Sequence, residues 1–297
     1  MKFKTFVAIY YLHRIKKAHF FKKIYIFFLL PFVYLVNKFF FPNIKNLDHY
    51  SLKNEYLFKK DLKFLFEFFN SDKGEFFYNQ YQKPIKKENY LIKGHNYHSF
   101  YEKYFSEKKE HNLNILELGS FKGNAAAAFF FYFKKAKIFS GDIFPDLFTY
   151  KSDRIKNFYI NTSLKIELKQ KLLEKDTSYD FIIEDAGHYL KDQIISLFVL
   201  FPKLKSKGVF VIEELDFPDT RIDMNVHNEK PTLRDILSII KNNSDFDSKY
   251  ITIDEKNYFI NNFKKINIFK GKYNEIAFIE KKWENDKLEK KSLWLTS

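Results

Sequence analysis

Hydrophobic and polar positions follow three successive patterns along the chain. Residues 24–36 form an apolar run that only Pro31 interrupts, and this run follows a basic segment. From Asp48 to His111 the apolar spacing is mostly helical, except between Tyr78 and Gly94, where a polar, aromatic and lysine-rich stretch predicts an irregular excursion. After Asn112, short apolar runs alternate with helical stretches. This alternation is typical of a parallel sheet with crossover helices.

Seven strands are predicted in the second half of the chain. They are Asn114–Leu118, Lys137–Ser140, Asn157–Ile160, Phe181–Glu184, Val209–Ile212, Ile266–Phe269 and Glu275–Ile279. Only a few residues around Gly271 separate the last two, too few for a parallel crossover, so we expect an antiparallel pair. The predicted fold class is therefore α/β, with a Rossmann-like, doubly wound sheet of seven strands whose last pair is antiparallel.

Four regions follow from these patterns. Residues 1–47 form a basic and hydrophobic segment, 48–112 a helical cap, 113–281 the sheet domain, and 282–297 a C-terminal tail. The first region contains the hydrophobic N-terminal helix. No internal repeat is visible in the sequence.

Composition narrows the chemistry. The chain of 297 residues is 45% hydrophobic and has no cysteine, which excludes disulfides, thiolate metal sites and cysteine nucleophiles. Its net charge of +14 is unevenly distributed along the chain. Residues 1–47 hold nine Lys/Arg and no Asp/Glu, and the rest of the chain holds 42 Lys/Arg and 37 Asp/Glu. Only four basic residues are arginine, the side chain suited to bidentate base contacts. The charge is therefore weak support for nucleic-acid binding.

The turn after the first predicted strand is typical of a nucleoside-cofactor site. Gly119 and Gly123 let the backbone approach a ligand, and a helix begins near Asn124. Asp142 ends the second strand, where an acid can accept hydrogen bonds from both ribose hydroxyls. Position 121 is Phe, so the dinucleotide fingerprint is absent, whereas Glu117 suits a cofactor with an ammonium group. S-adenosylmethionine therefore fits better than NAD.

The predicted cofactor contacts also include neutral groups. The third strand ends in Asn-Thr-Ser, which favours neutral contacts to adenine. The full set is Glu117, Gly119, Ser120, Gly123, Asn124, Asp142 and Thr162. A turn with glycines is by itself a weak signal, because many strand-to-helix turns contain them.

Three carboxylates end the fourth and fifth strands and are predicted to converge. These residues, Asp185, Glu213 and Glu214, form the acidic edge. Clustered carboxylates repel one another unless a cation binds them, and an all-oxygen site favours magnesium or calcium. The alternative is that Asp185 caps a helix and the glutamates are solvated. His188, expected in the first turn of the next helix, is the candidate general base, although a lone histidine is more often structural.

The sequence resembles the metal-dependent sugar O-methyltransferases of the mycinamycin and tylosin pathways and their cephalosporin hydroxylase-like relatives, within the class I methyltransferase fold. The matching blocks are Ser71-Asp-Lys-Gly74, His95-Asn-Tyr97 through Phe105, Ile115-Leu-Glu-Leu-Gly119, Glu184-Asp-Ala-Gly-His188 and Val211-Ile-Glu-Glu214. The resemblance implies that Asp185, Glu213 and Glu214 hold magnesium, which binds vicinal sugar hydroxyls, and that His188 is the base. One departure is Glu214, since the family has Asp there. The excursion before His95 is also longer than in the family pattern.

The N-terminal segment allows three interpretations: an interfacial helix, a true span, or a helix docked on the protein's own surface. A signal peptide is disfavoured because no small-x-small cleavage site follows Val36. A span would move everything after residue 41 away from the cytosolic cofactor. We therefore expect an interfacial anchor, with the protein in the cytoplasm at the inner face of the membrane.

Together these features predict an S-adenosylmethionine-dependent O-methyltransferase that uses Mg²⁺ and acts on a sugar hydroxyl of a glycan or glycolipid intermediate. The expected partners are this acceptor and a membrane surface, without nucleic acid, and a homo-oligomer is compatible with the sequence. The rivals are a non-catalytic membrane-associated module and a nucleic-acid methyltransferase. An iron hydroxylase is disfavoured because His188 has no evident second histidine beside it.

Overall fold

The computed structural model describes residues 3–10, 18–38, 44–78 and 91–283. The strands are β1 Lys45–Asn46, β2 Phe76–Tyr78, β3 Leu91–Lys93, β4 Asn114–Leu118, β5 Lys137–Asp142, β6 Tyr150–Lys151, β7 Ile155–Tyr159, β8 Tyr179–Glu184, β9 Leu204–Ile212, β10 Phe263–Lys270 and β11 Glu275–Lys281.

The helices surround these strands. They are α1 Phe3–Tyr10, α2 Phe20–Lys38, α3 Leu47–Lys53, α4 Leu62–Phe68, α5 His98–Phe105, α6 Asn124–Tyr132, α7 Lys165–Leu168, α8 Leu190–Leu200, α9 Phe217–Thr220, α10 Leu233–Lys241 and α11 Ile253–Asn262. Single 3-10 turns lie at Glu55–Lys59, Ser106–Lys108, Pro145–Leu147 and Phe201–Lys203, and a π turn at Lys169–Leu173.

Seven strands form the main sheet, in the order β10-β11-β9-β8-β4-β5-β7. β9, β8, β4, β5 and β7 are parallel, whereas β11 is antiparallel to both of its neighbours. The prediction of a seven-stranded α/β sheet with an antiparallel last pair is confirmed. β4 has the predicted bounds, and the other strands overlap their predicted ranges with ends that differ by up to five residues.

Two hydrophobic clusters cover the two faces of the sheet. Successive residues of the central strands alternate between them, so Ile183 of β8 faces one cluster and Ile182 the other. The first cluster includes residues of α4, α5 and α6, and the second includes residues of α8, α10 and α11. Burial on both faces explains why the parallel strands have continuous apolar sequences. The predicted cap thus shares one core with the sheet, while the domain boundaries themselves stay predictions.

The predicted irregular excursion begins and ends in regular structure. β2 and β3 pair antiparallel, with Phe77 opposite Ile92. Residues 79–90 lie outside the described residues. The backbone oxygens of Asp72, Lys73 and Gly74 accept hydrogen bonds from the amides of residues 95–98, so the Ser71–Gly74 and His95–Tyr97 blocks lie side by side.

The hydrophobic N-terminal helix is α2, and it packs on α1. Phe6 of α1 and Leu30 of α2 are both buried in this small contact. No helix among the described residues is long and apolar enough to cross a membrane. Association with a membrane surface, and a location at its inner face, stay predictions. Most of the C-terminal tail, from residue 284 onward, lies outside the described residues.

Candidate functional site

The loop after β4 lies against the end of β8. β4 ends at Leu118, and Gly119 follows with a φ of +88°. A Cβ atom on Gly119 would lie 1.9 Å from the backbone oxygen of Asp185, so only glycine fits this contact. Gly123, also with positive φ, directly precedes α6, which begins at Asn124 as predicted. The two glycines allow the loop backbone to lie across the carboxyl end of the sheet.

Glu117 is a buried carboxyl group one residue before the end of β4. It is 2% exposed, and its Oε2 atom has no hydrogen-bond partner among the residues that the structure describes. Burial raises the pKa of Glu117 to about 7, against the opposite effect of the Lys73 ammonium. The buried hydroxyl of Ser120 likewise has no partner in the described part of the chain. A buried acceptor of this kind favours a cationic ligand, which would supply both charge and hydrogen bonds.

Asp142 joins two turns at the end of β5. Its carboxylate oxygens accept hydrogen bonds from the backbone amides of Phe121 and Phe144, both at 2.7 Å. Burial raises the pKa of Asp142. A carboxylate has about four acceptor positions, so that of Asp142 can also accept from a ligand hydroxyl. Thr162 is buried beyond the end of β7, which neighbours β5. The predicted cofactor residues therefore share one edge of the sheet, and their binding role stays a prediction.

Lys73, from the cap, enters the acidic edge. Its buried ammonium donates to Asp185 and lies 2.9 Å from Oε1 of Glu213, while the Tyr101 hydroxyl donates to the same Glu213 oxygen. Burial disfavours the charged ammonium, but Asp185 and Glu213 more than offset this and keep the pKa of Lys73 well above its ordinary value. One positive charge compensates two carboxylates only in part. Burial accordingly raises the pKa of both Asp185 and Glu213.

Glu214 lies between two histidines. Its Oε2 is 2.6 Å from Nε2 of His188, and its Oε1 is 3.1 Å from Nε2 of His95. Asn274 donates to Oε1 of Glu214 at 3.3 Å and lies 3.3 Å from Nδ1 of His95. The ring of Tyr97 stacks on His95. A second histidine, His95, therefore reaches the same carboxylate from the cap, although the possible metal donors among the described residues include only His188.

His188 and Glu214 form an ion pair. Burial opposes the charged imidazolium, but Glu214 and Asp185 more than compensate and raise the pKa of His188 to about 10. Burial also disfavours the Glu214 carboxylate, yet His188 lowers its pKa to about 2. Beside the Glu214 carboxylate, His188 is thus protonated near neutral pH. It becomes a proton acceptor only when another positive charge offsets Glu214.

His188 also differs from its predicted placement. It was expected in the first turn of the helix after β8, but α8 begins at Leu190. His188 lies in the preceding loop with a φ of +55°, and its ring contacts Phe217 edge-on at 5.2 Å. The loop, rather than a helix face, therefore directs Nε2 toward Glu214 and Asp185, from which it is 3.6 Å.

A divalent cation fits a mixed set of donors at this edge. One donor atom each of Asp185, His188 and Glu214 lie within 4.8 Å of one another. Glu213 instead faces Lys73 and the buried Tyr101. The structure thus divides the predicted ligands Asp185, Glu213 and Glu214 between two neighbouring groups, and their role as ligands stays a prediction.

Sequence reasoning missed the roles of Lys73, Tyr101 and His95. All three belong to blocks that carry the family resemblance, but no chemistry was assigned to them. A usable signal was present, because three converging carboxylates require positive charge and these blocks contain a lysine and a histidine.

Comparison with known proteins identifies the fold. The chain matches no family model and no curated protein. It superposes on the MycE methyltransferase from the mycinamycin biosynthetic pathway, solved with Mg and SAH, with a TM-score of 0.55 and 16% identity, over 75% of this chain and 55% of that one. MycE solved with Mg, SAH and mycinamycin VI gives a TM-score of 0.56 with the same identity and coverage.

The chain has the methyltransferase fold. The prediction of this fold from the sequence is confirmed. The chain spans about half the length of MycE, and the likeness lies in the architecture. In open α/β sheets, ligands bind outside the carboxyl ends of the parallel strands. Glu117, Asp142 and Asp185 all lie at that edge of this methyltransferase fold.

Proposed function

We propose that this chain is an S-adenosylmethionine-dependent O-methyltransferase that acts on a sugar hydroxyl of a glycan or glycolipid intermediate. One observation carries the proposal: the buried carboxyl group of Glu117, whose Oε2 has no hydrogen-bond partner among the described residues, and the cluster of Asp185, His188 and Glu214 lie at the same edge of the sheet. The first suits a cationic cofactor and the second a hydroxyl acceptor. The methyltransferase fold supports the same reaction type.

The cofactor side is formed by the ends of β4, β5 and β7. Glu117 pairs with the ammonium group of S-adenosylmethionine, and the loop containing Gly119 and Ser120 approaches it through its backbone. Asp142 accepts hydrogen bonds from the ribose hydroxyls, and Thr162 offers a neutral contact to the adenine. The cofactor supplies the methyl group on a sulfonium, which is a good leaving group. The protein's part is then alignment of the two reactants and removal of one proton.

The acceptor side is formed by the ends of β8 and β9. His188 takes the proton of the acceptor hydroxyl at Nε2 once a bound cation offsets the charge of Glu214, which otherwise holds this atom in an ion pair. Lys73 keeps Asp185 ionised and positioned. MycE was solved with Mg, and the carboxylates of Asp185 and Glu214 are groups that fit such an ion, with Glu213 next to them, while His188 serves as the base. A bound divalent cation supplies positive charge that lowers the pKa of a nearby hydroxyl.

Exposed apolar side chains in the segment after β9 support an acceptor with an apolar part. The backbone oxygen of Met224 accepts from the amide of Leu190, which fixes the segment after β9 next to His188. Ile222 and Val226 flank Met224 and are 84% and 70% exposed. A sugar carried on a lipid would present its apolar portion to this surface.

The test measures transfer of a labelled methyl group from S-adenosylmethionine by the purified full chain. The acceptors are the glycolipid and polysaccharide fractions of cells that lack this gene, and mass spectrometry should show a gain of about 14 Da on a sugar. We expect Asp185→Ala to remove nearly all activity and His188→Ala to cost about 10²- to 10⁴-fold, the usual range for a general base. Cofactor affinity by calorimetry should stay within about twofold.

Matched controls separate the site from general effects. Glu107→Ala and His111→Ala remove an exposed carboxylate and an exposed imidazole and should keep the wild-type rate. Activity should disappear with EDTA and return with Mg²⁺. Activity that survives EDTA, together with a wild-type rate for Asp185→Ala, would contradict the cation mechanism.

Two rivals remain distinguishable in the same assay. Methyl transfer to RNA or DNA would favour a nucleic-acid methyltransferase. Cofactor binding without transfer to any fraction would favour a non-catalytic module, for which Glu214 in place of Asp is the one supporting feature.

A further inference from the structure

α2 presents a continuous apolar surface that the described part of the protein does not cover. Phe21, Tyr25, Phe28 and Phe32 recur at intervals of four, three and four residues, which places them along one side of the helix. They are 73%, 65%, 75% and 68% exposed. Further exposed apolar residues of the helix are Phe20, Ile24, Phe27, Leu29, Leu35 and Val36.

The opposite side of α2 already has a partner. Ile26, Leu30 and Val33 face α1, where Phe6 is buried and Val7 packs beside it. The aromatic stripe, formed by Phe21, Tyr25, Phe28 and Phe32, is therefore not the inner face of this helix pair. Exposed aromatic surface of this extent marks a site of interaction.

The positive charge around the stripe favours an anionic partner. Residues 1–47 carry nine Lys/Arg and no Asp/Glu. Among the described residues of the helix pair, Lys4 and Lys22 are exposed at its surface. A second copy of the chain would bring these like charges together, whereas an anionic lipid surface would attract them.

We propose that the aromatic stripe of α2 binds the surface of an anionic membrane, with the helix lying in the interface. Phe28 and Phe32 enter the boundary between head groups and acyl chains, and Lys22 lies at the level of the anionic head groups. The 19 residues of α2 give a contact about 28 Å long. This surface binding stands independently of the proposed methyl transfer, and it would bring the enzyme to lipid-linked sugar acceptors.

The first experiment is flotation of the full chain with vesicles of phosphatidylcholine alone or with about 30% phosphatidylglycerol. We expect binding to the anionic vesicles, at least tenfold weaker binding to neutral ones, and release by alkaline carbonate. Phe28→Ser with Phe32→Ser should weaken the binding at least tenfold. Leu52→Ser with Ile253→Ser is the matched control, because both residues are exposed and apolar but lie outside the stripe. This control should bind as the wild type does.

A second experiment places a probe in the stripe without removing it. Phe28→Trp should be quenched by brominated lipids in anionic vesicles, and Ile253→Trp should not. Circular dichroism on every variant reports folding, and calorimetry with S-adenosylmethionine tests the cofactor site separately from the membrane.

Four results would overturn the proposal: equal binding to neutral vesicles, no binding at all, resistance to carbonate extraction, which indicates a span, or a dimer in solution that the Phe28→Ser/Phe32→Ser change dissolves.

Discussion

Glu117→Gln removes the ionisable group of the proposed cofactor site and keeps its shape. The pKa of Glu117 is raised to about 7 by burial, from an ordinary value of 4.5. The folded state therefore holds the proton more tightly than the unfolded state, so stability is fully present below pH 4.5 and is lost as the pH rises through 7. At 1.36 kcal/mol per pH unit, the total loss is about 3 kcal/mol, of which about 2.5 kcal/mol falls between pH 5 and pH 8.5.

The Gln variant should lack this loss. We expect urea unfolding at pH 5 and pH 8.5 to show a smaller decline for Glu117→Gln than for the wild type, by about 2.5 kcal/mol. Glu107→Gln, at an exposed position, should follow the wild type. Parallel pH profiles for all three proteins would refute the reasoning, because they would mean that Glu117 is ionised in the folded protein without penalty.

The same carboxyl group links cofactor binding to a proton. At pH 6 a group with a pKa of about 7 is about nine-tenths protonated, so pairing with an ammonium should release close to one proton. Calorimetry with S-adenosylmethionine in buffers of different ionisation enthalpy measures this number. The Glu117→Gln variant should release none and bind more weakly. Equal release from both proteins would assign the proton to another residue.

Three further predictions concern the same edge. Asp142→Ala should weaken S-adenosylmethionine binding about 10- to 100-fold by calorimetry, since it removes charged contacts to the ribose, and unchanged affinity would remove that assignment. Lys73→Met leaves two buried carboxylates uncompensated, so it should destabilise the fold by about 3 to 5 kcal/mol at pH 8. The loss should be smaller at pH 5, where these carboxylates take up protons. An equal loss of stability at both pH values, measured by urea unfolding, would contradict the ion pairs. Gly119→Ala should lower the stability of the fold by at least about 1 to 3 kcal/mol from the positive φ alone, and it should abolish cofactor binding. A crystal structure of this variant with an unmoved loop would disprove the predicted clash.

The sheet was predictable because its signals are local. Each strand is a short apolar run bounded by polar or glycine residues, and both faces of the sheet are buried, so runs such as Phe181–Glu184 carry no competing helical pattern. The carboxyl ends of neighbouring parallel strands meet by geometry, which explains why the convergence of Asp185 and Glu214 could be anticipated. The glycine turn after β4 was equally local.

What escaped prediction depends on contacts between distant segments. β2 and β3 pair with each other at the two ends of the excursion, whose polar, lysine-rich composition predicts irregular structure. The local sequence therefore gave no indication that these strands would pair. The loop position of His188 follows from its positive φ, a conformation that stays uncommon for histidine although histidine adopts it more often than most residues. Lys73 is a residue type that is normally exposed, and only the two carboxylates of the sheet explain its burial. The sequence therefore indicates which acids meet, but not which cation reaches them.

The position of Lys73 in the chain also sets an order of events during synthesis. Its partner Asp185 follows 112 residues later, and Glu213 later still. A ribosome makes the cap first, so the Lys73 ammonium must stay solvated until β8 and β9 emerge. The cap cannot close over its final position before that moment, because a buried ammonium without its carboxylates is too costly. The group of Lys73, Asp185 and Glu213 is thus assembled only after β8 and β9 have been made, and a nascent chain that stops before β8 lacks it.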